Sequence, residues 1–458
     1  MRRLLVAVGI ALGVAAPAHA ASVQVGVGTN PGVALDAAGN AVVGWQSGSN
    51  YDVQVCALPA RARACAATTA IPFPDRGYGR SRVSVLMPAP NTVDVVVGRN
   101  TGGETYLARS TDGGRTFGPA LQIADRGFVQ GVLMPDGRIA LSGSSAVLTA
   151  AVVRSDGGNT ASRGSQLGET IDGIYDDIAA LGPEVYVASS AAGRTQAYRL
   201  PAGGDPDAPD AWQRLPDLTL GRQPELTGGP AGLVTLLEPI GDAPRGLFVQ
   251  RLAGGNWTAP VAINSGGAGN NDFEMAQGPR GRLTALWTDG SPYRLNYTTS
   301  VDGGALWSSH ATVALYAEYP TDLEMATGPN GNGIAVVAVG LFDDAQIRVA
   351  RFTPRTAPVA RRRFGSTTVQ ARAVCSSQDR FGVVVEAARG GVRVSPGTVL
   401  RRASFGRVRG ARRTYVQRFR AGYAPTRTHL RVRVRLRPRS GRSRTLTLRA
   451  RRCGVPGG

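Results

Sequence analysis

The 458-residue chain contains no lysine, and it has 52 arginines. Histidine is scarce too, and its three copies, His19, His310 and His429, lack the spacing of paired zinc ligands. The chain also lacks a glycine-rich phosphate loop between strand and helix and the Gly-x-Ser-x-Gly turn of α/β hydrolases. We therefore expect no metal, no cofactor and no Ser-His-Asp chemistry.

Long apolar runs are missing except near the beginning of the chain. Arg2 and Arg3 are followed by an apolar run over residues 4–16 and then by Ala18-His19-Ala20. This order is typical of a secretory signal peptide, and the run is too short to span a bilayer. The pattern predicts a signal peptide at residues 1–20 and a product without a membrane span, which is secreted and either extracellular or associated with the cell wall.

Only four cysteines occur, at Cys56, Cys65, Cys375 and Cys453. In an exported chain an even number of cysteines indicates disulfides, and four cysteines allow three pairings. Proximity in the sequence favours Cys56–Cys65 across one hairpin, which leaves Cys375–Cys453 to close the C-terminal segment.

Acidic residues are scarce near the end of the chain. From Arg355 onward 27 arginines stand against Asp379 and Glu386, a formal charge of +25 compared with +20 for the whole chain, so the preceding part carries −5. Two interpretations stay open. The excess reflects a lysine-free composition and a solvated sheet face, or it binds an extracellular polyanion such as a wall polymer, an acidic glycan or released DNA.

The same segment has its own pattern of secondary structure. Residues 355–363 form a linker containing Pro and Arg, and residues 364–458 contain short alternating strands. In residues 429–437 the alternation has a strict period of two, with apolar residues on one face and mostly arginine on the other. We predict that residues 364–458 form an Arg-rich, small Ig-like β-sandwich.

Between these segments, residues 21–354 repeat one pattern: an alternating strand, a tight turn with Gly, Asp, Asn or Pro, and a more continuous apolar strand. The seven turns fall near positions 36, 89, 136, 182, 230, 279 and 329, so the repeat is 46 to 53 residues long. Such a period is typical of a propeller with one blade per repeat. The seventh repeat lacks a fourth strand, and residues 22–27 form an unassigned strand that could complete it. We predict an all-β, seven-bladed propeller, with six blades as the alternative.

One outer turn has a recognisable motif. Residues 110–117, Ser-Thr-Asp-Gly-Gly-Arg-Thr-Phe, match Ser-x-Asp-x-Gly-x-Thr-(Trp/Phe), and residues 300–307 are a degenerate copy. Asp112 can accept hydrogen bonds from the turn, and Gly113 and Gly114 allow positive φ. The motif resembles the Asp-box of BNR-repeat, sialidase-like β-propellers, which have six blades. The resemblance implies a structural role, away from any active site, for Ser110, Asp112, Gly114, Thr116, Phe117, Ser300, Asp302, Gly304 and Trp307.

In such propellers, ligand binding or catalysis is expected at the mouth of the central channel, in the loops that lead into the innermost strands. In one ring, these loops are expected to place four carboxylates near the axis, with Arg76, Arg80 and Arg82 on one side. The ligand-binding candidates are Tyr78, Tyr175, Asp177, Glu225, Glu274 and Glu324. A sialidase site needs three arginines, a tyrosine nucleophile beside a glutamate, and an aspartic acid. The candidates for it are Asp75, Arg76, Arg80, Arg126, Arg222, Glu318 and Tyr319.

The family's Phe/Tyr-Arg-Ile-Pro motif, which carries its first arginine, is absent from this sequence. We therefore expect a secreted, monomeric binding protein that takes a glycan or protein ligand at the channel mouth and holds an anionic surface through its basic module. The alternative is an exo-glycosidase of sialidase type, an exo-alpha-sialidase.

Overall fold

The computed structural model describes most of the predicted propeller and the strands of the C-terminal segment. The described residues are 22–47, 52–73, 82–98, 103–128, 130–144, 147–155, 164–169, 176–191, 194–218, 222–238, 246–263, 272–290, 293–301, 303–304, 307–308, 310–328, 331–341, 344–353, 359–364, 367–377, 380–387, 392–396, 412–418, 429–438 and 444–451. In these ranges the secondary structure is β-strand apart from two short 3₁₀ turns, so the all-β prediction is confirmed. None of the described residues belongs to a helix long and apolar enough to cross a membrane.

Seven antiparallel sheets follow one another along the chain, and each is one blade. Blade 1 contains β2 (Thr29–Leu35), β3 (Ala41–Ser47), β4 (Asp52–Leu58) and β5 (Ala67–Ile71). Blade 2 contains β6 (Val83–Ala89), β7 (Thr92–Gly98), β8 (Thr105–Ser110) and β9 (Leu121–Ala124). Blade 3 contains β10 (Gln130–Leu133), β11 (Arg138–Ser144), β12 (Val147–Arg154) and β13 (Ser165–Glu169). Blade 4 contains β14 (Asp176–Leu181), β15 (Glu184–Ala191), β16 (Arg194–Leu200) and β17 (Gln213–Arg214).

The remaining blades differ at their outer edges. Blade 5 contains β18 (Arg222–Thr227), β19 (Val234–Glu238) and β20 (Phe248–Ala253), with β21 (Asn256–Trp257) and β22 (Val261–Ala262) both pairing with β20. Blade 6 contains β23 (Phe273–Gly278), β24 (Arg282–Asp289), β25 (Tyr293–Ser300) and β26 (Ala311–Tyr316). Blade 7 contains β27 (Pro320–Thr327), β28 (Gly333–Val339) and β29 (Gln346–Phe352). The seven-bladed prediction is confirmed, and the six-bladed alternative is wrong.

The first strand of the chain closes the ring. β1 (Val23–Val27) pairs antiparallel with β29, so that Val23 lies opposite Val349 and Val27 opposite Gln346. Blade 7 therefore takes its fourth strand from the N-terminal end of the described chain, as the sequence predicts. β1 also reaches blade 1, because the indole Nε1 of Trp45 donates a hydrogen bond of 3.1 Å to the Val27 carbonyl.

The core lies between neighbouring blades. The second strand of each blade is largely buried, and in β28 all seven residues are buried. Between blades 1 and 2, the side chains of Val42 and Val55 belong to one buried cluster with Val83 and Val95. Each such side chain contributes about 1.5–3 kcal/mol when fully buried. The ring therefore holds together through its interfaces, and this fixes the position of the inner strands around the channel.

The turn after β8 is held by its own side chains. The Ser110 hydroxyl accepts a 2.9 Å hydrogen bond from the Gly114 N–H, and the Asp112 carboxylate accepts 3.0 Å bonds from the N–H groups of Arg115 and Thr116. Gly114 has a φ of 87° and sits against Val42 of blade 1. Since Thr69 of blade 1 also donates to the Arg115 carbonyl at 2.7 Å, the turn fastens blade 2 to blade 1.

The later copy of this turn is partly described. The Gly304 N–H donates to the Ser300 hydroxyl at 2.9 Å, and the buried Trp307 donates through Nε1 to the Gly304 carbonyl at 3.0 Å. Asp302 lies outside the described residues. Both turns therefore share a hydrogen bond from the N–H of the second glycine to the serine hydroxyl.

Blade 1 has a disulfide at the corresponding outer hairpin. Cys56 at the inner side of β4 is bonded to Cys65 just before β5, with a Cα–Cα distance of 5.4 Å. This pairing is confirmed. Cys375 lies in a strand of which only the backbone is described, and Cys453 lies outside the described residues, so Cys375–Cys453 stays a prediction.

Replacing both cysteines (Cys56→Ala with Cys65→Ala) is expected to lower the free energy of unfolding by about 2–3 kcal/mol, because the short loop they close is restrained in the unfolded chain. Urea unfolding of the double variant checks this, with the reduced wild-type protein as the control. If the reduced wild type keeps full stability while the variant loses it, the effect comes from the lost packing of the buried Cys56 and not from the cross-link.

The C-terminal segment contains two further sheets. The first is formed by β30 (Val359–Phe364), β31 (Thr367–Ser377), β32 (Arg380–Ala387) and β34 (Arg412–Arg418). The second is formed by β33 (Val392–Pro396), β35 (His429–Pro438) and β36 (Arg444–Arg451). β30 occupies Val359–Phe364 and therefore includes part of the stretch 355–363 that was expected to be a linker. The Ig-like arrangement stays a prediction, and the predicted signal peptide lies outside the described residues.

Candidate functional site

The innermost strands of three blades are irregular where they begin, at one end of the channel. Asn30, Gln223 and Asp322 have φ values of 51°, 54° and 49°, in the left-handed region that non-glycine residues rarely adopt. Each coincides with a register shift against the second strand of its blade. Bulges of this kind are frequent next to functional sites because they redirect side chains. Here they precede Glu225 and Glu324.

Side chains at this end also join each blade to the next. The Asp177 carboxylate of blade 4 accepts a short hydrogen bond from the Leu226 N–H of blade 5, and Asp272 of blade 6 accepts one from Leu323 of blade 7. Asp322 accepts a 3.2 Å bond from the Asn30 N–H of blade 1. Between blades 2 and 3, the Ser84 hydroxyl accepts a 2.9 Å bond from Gly131. These contacts hold the starts of the inner strands in a fixed ring.

Arg82, just before β6, reaches across the channel to the far blades. Its Nε lies 2.8 Å from Oε1 of Glu324, and its Nη2 lies 3.5 Å from Oε1 of Glu274 and 4.0 Å from Oε1 of Glu225. The side chain of Arg82 is 28% exposed and that of Glu274 is 9% exposed. Blades 5, 6 and 7 thus present one carboxylate each to a single guanidinium. We call Arg82, Asp177, Glu225, Glu274 and Glu324 the axial cluster.

The axial cluster contains four carboxyl groups and one guanidinium, and the pKa values of its carboxyl groups are raised. Burial raises the pKa of Asp177 to about 7, against hydrogen bonds from Leu226 and Ile178 and the charge of Arg82, which lower it. Burial and the neighbouring carboxylates raise the pKa values of Glu225 and Glu274 well above their usual range. Some of these carboxyl groups therefore hold protons near neutral pH, and the cluster can both donate and accept hydrogen bonds.

Arg82 itself stays charged. Burial opposes its charge, but Glu324, Glu225 and Glu274 together raise the pKa of the guanidinium well above its ordinary value. Just outside the axial cluster, burial raises the pKa of Asp272 to about 7 against its hydrogen bond from Leu323. Across the described residues, no group of three or more His, Cys, Asp or Glu side chains is arranged to hold a metal ion.

An apolar and aromatic edge borders the mouth between blades 6 and 7. The ring of Tyr319 packs edge-on against Tyr293, with centroids 5.5 Å apart, and is 38% exposed. Its carbonyl accepts a 2.9 Å bond from the Gly340 N–H, which brings Leu341, 63% exposed, to the same edge. Tyr319 immediately precedes the innermost strand β27, and burial and then the charge of Asp272 raise the pKa of its hydroxyl.

Among the sequence candidates, the structure brings together Asp177, Glu225, Glu274 and Glu324. Glu318 is exposed, and its carboxylate lies beside Gly340. Arg126 is half-buried after β9, where its carbonyl accepts a 2.6 Å bond from Thr105. Arg222 begins β18 and is described by its backbone alone. Asp75, Arg76, Tyr78, Arg80 and Tyr175 lie outside the described residues.

No protein-family model and no curated protein matches the chain. Several solved propeller structures are similar to it at low identity. A puromycin hydrolase is 13% identical with a TM-score of 0.43; the match covers 76% of this chain, which spans 58% of the hydrolase chain. A gluconolactonase from Xanthomonas campestris is 11% identical, covering 73% of this chain and 98% of its own, with a TM-score of 0.38. The WD40 domain of a Toxoplasma gondii coronin is 11% identical, covering 73% and 90%, with a TM-score of 0.42. Similarity this low says nothing about activity, and the blade count rests on the sheet topology.

Proposed function

We propose that the protein is a secreted, ligand-binding β-propeller that holds a glycan at the mouth of its central channel. The axial cluster carries the proposal, because three blades direct carboxylates at one guanidinium in a mostly buried position that remains open to solvent. Polar groups held this way, at the end of a rigid scaffold, are typical of ligand sites. The predicted signal peptide supports export.

The chemistry of the mouth favours a ligand rich in hydroxyl or amino groups. Carboxyl groups that are partly protonated can accept hydrogen bonds from hydroxyls and also donate to them. The exposed ring of Tyr319 offers an apolar face of the kind that packs against the flat face of a sugar. A basic segment of a protein offers similar donors and is the other ligand class that these groups suit.

The sialidase alternative has weaker support from the described residues. A sialic acid carboxylate needs several arginines, whereas Arg82 is the one guanidinium that the described residues bring into the axial cluster. A tyrosine nucleophile works best when its hydroxyl loses its proton easily, and the raised pKa of Tyr319 acts against this. An anionic sugar would also meet an excess of carboxylates.

The C-terminal module supplies the second half of the proposed function. With 27 arginines against two acidic residues after residue 354, it is suited to hold the protein at an anionic extracellular surface. The propeller would then present its mouth to ligands near that surface.

Glycan binding by Tyr319 variants tests the proposal. Tyr319→Ala is expected to weaken binding to immobilised neutral and amino-sugar glycans about tenfold, since stacking contributes roughly 1–2 kcal/mol, while Tyr319→Phe binds as the wild type does. Leu121→Ala, which removes an exposed side chain from the outer strand β9, is the matched control and is expected to bind normally.

The same variants separate the two functions. Turnover of a fluorogenic sialoside by the wild type, lost in Tyr319→Phe, would establish the sialidase alternative. If Tyr319→Ala and the wild type bind glycans equally well, the aromatic edge does not contribute to glycan binding. Binding of basic peptides in preference to every glycan would replace the glycan by a protein ligand.

A further inference from the structure

The second C-terminal sheet gathers arginine on one face. Its register places Arg393 opposite Arg437, Arg431 opposite Arg449, and His429 opposite Arg451. Residues directly opposite in an antiparallel pair share a face, and so do residues two apart in a strand. One face of β33, β35 and β36 therefore carries Arg393, Arg431, Arg433, Arg435, Arg437, Arg449 and Arg451, together with His429, Ser395, Thr445 and Thr447. We call it the arginine face.

The other face of this sheet is apolar apart from Arg444 at one strand end. It carries Val392, Val394, Pro396, Leu430, Val432, Val434, Leu436, Pro438, Leu446, Leu448 and Ala450. β36 lies near β30 and β31 of the first sheet. Burying an unpaired guanidinium costs several kcal/mol, so the apolar face is the one that we expect to pack against the first sheet.

The segregation of charge is more informative than the arginine content. Because the chain has no lysine, arginine is its only strongly basic residue, and its presence alone indicates little. However, the strands β33, β35 and β36 contain no acidic residue. In the first sheet, by contrast, Glu386 lies opposite both Gln370 and Arg412. The arginine face thus has no acidic partner in its own sheet, whereas the eight arginines of the first sheet share one glutamate.

The row has a definite geometry. Arg431, Arg433, Arg435 and Arg437 follow one another along β35 at steps of roughly 7 Å, twice the rise per residue. Ser395 on one side and Thr445 and Thr447 on the other lie opposite this row. Arginine with serine and threonine is the set of side chains that commonly contacts phosphate oxygens. A guanidinium can also grip a phosphate through two parallel hydrogen bonds.

We propose that the arginine face binds an extended phosphodiester polymer, which lies along β35. This deepens the proposed function and depends on it, because it names the anionic surface that the basic module would hold. Because the row repeats at a constant step along one strand, it suits a linear chain of phosphates better than a single compact anion.

The test measures binding of the full mature chain to a single-stranded oligothymidylate across a range of salt concentrations. One variant replaces Arg431, Arg433, Arg435 and Arg437 by glutamine. A control variant replaces four arginines of the first sheet, Arg361, Arg363, Arg372 and Arg413, by glutamine and so loses the same charge. The face variant is expected to bind about 10²- to 10³-fold more weakly at 0.1 M salt and to lower the salt slope by about 3, as for four lost phosphate contacts.

Two further arms complete the experiment. A variant with lysine at the same four positions of β35 is expected to restore most of the salt slope, which separates loss of charge from misfolding. Polygalacturonate of equal charge number is the carboxylate probe and is expected to bind more weakly than the oligothymidylate. An equal loss of affinity in the control variant would show that the arginine face is not the binding site. Tighter binding of polygalacturonate than of the oligothymidylate would contradict the assignment of a phosphodiester ligand. If the wild type binds neither probe, the proposed attachment to anionic surfaces fails as well.

Discussion

A chain that begins at Gly28, and so lacks β1, is expected to lose about 5 kcal/mol of its free energy of unfolding and about 7 °C in Tm. Removal of β1 takes away the strand that pairs with β29 and the carbonyl that accepts the Trp45 indole hydrogen bond. It also uncovers Trp45, which is 3% exposed in the closed ring. Thermal unfolding followed by circular dichroism measures the change.

A single substitution tests the same contact without shortening the chain. A Cβ on Gly26 would lie 2.3 Å from the Trp45 ring, so Gly26→Val is expected to force the strand and the indole apart and to destabilise the ring by several kcal/mol. Gln24→Val is the matched control, since it introduces the same side chain at an exposed position of β1. Equal stability of the two variants would show that closure by β1 contributes little.

The stability of the propeller is expected to fall as the pH rises from 5 to 8. The pKa values of Asp177 and Asp272 are raised to about 7, and those of Glu225, Glu274 and Glu324 are also raised, so the folded chain holds protons that the unfolded chain has released. Stability from such groups is complete below pH 4 and disappears as the pH passes their folded pKa values. For a group whose folded pKa is about 7, such as Asp177 or Asp272, the free energy of unfolding falls by about 2–3 kcal/mol between pH 5 and pH 8. Urea unfolding at a series of pH values measures the slope.

Substitutions in the axial cluster check the cause of this slope. Glu225→Gln with Glu274→Gln removes two of the carboxyl groups and is expected to flatten the decline between pH 5 and 8. Arg82→Gln removes the counter-charge and is expected to steepen it. Asp112→Asn is the control: hydrogen bonds from Thr116 and Ser110 lower the pKa of Asp112, so its stabilisation is lost only as the pH falls below 4. A decline that is the same in all three variants would exclude the axial cluster as its source.

The blades could be predicted from the sequence because each repeat encodes its own hairpins. Turn glycines such as Gly39, Gly137 and Gly232 have φ values of 87°, 83° and 87°, which glycine adopts easily, and they mark where one strand ends and the next begins. The closing strand could be predicted because the seventh repeat is one strand short. The outer strands of blade 5 were harder to predict from the sequence. Gly254 and Gly255 turn the chain within two residues, and the strands β21 and β22 that follow are too short to show a periodic pattern.

The site could be predicted in part. The four carboxylates share a position in successive repeats, which is visible as spacing in the sequence. Arg82 was expected only on one side of them, because its contacts with Glu225, Glu274 and Glu324 join residues far apart in the chain and depend on the closed ring. The left-handed residues Asn30, Gln223 and Asp322 left no local signal, since none of them is glycine. Asp272 was not among the candidate residues, because its hydrogen bond from Leu323 of the next blade depends on the closed ring and leaves no signal in the sequence.

Closure by β1 also sets the order of events when the chain is made. The two paired strands lie at opposite ends of the propeller sequence: the Ser22 hydroxyl, next to β1, accepts a hydrogen bond from Arg348 of β29 across 326 residues. The ring therefore cannot close until the last blade has been synthesised, and such distant pairing makes folding slow. Before the ring closes, β1 and β29 each present a free edge, and two chains at this stage can exchange their β1 strands to form a swapped dimer.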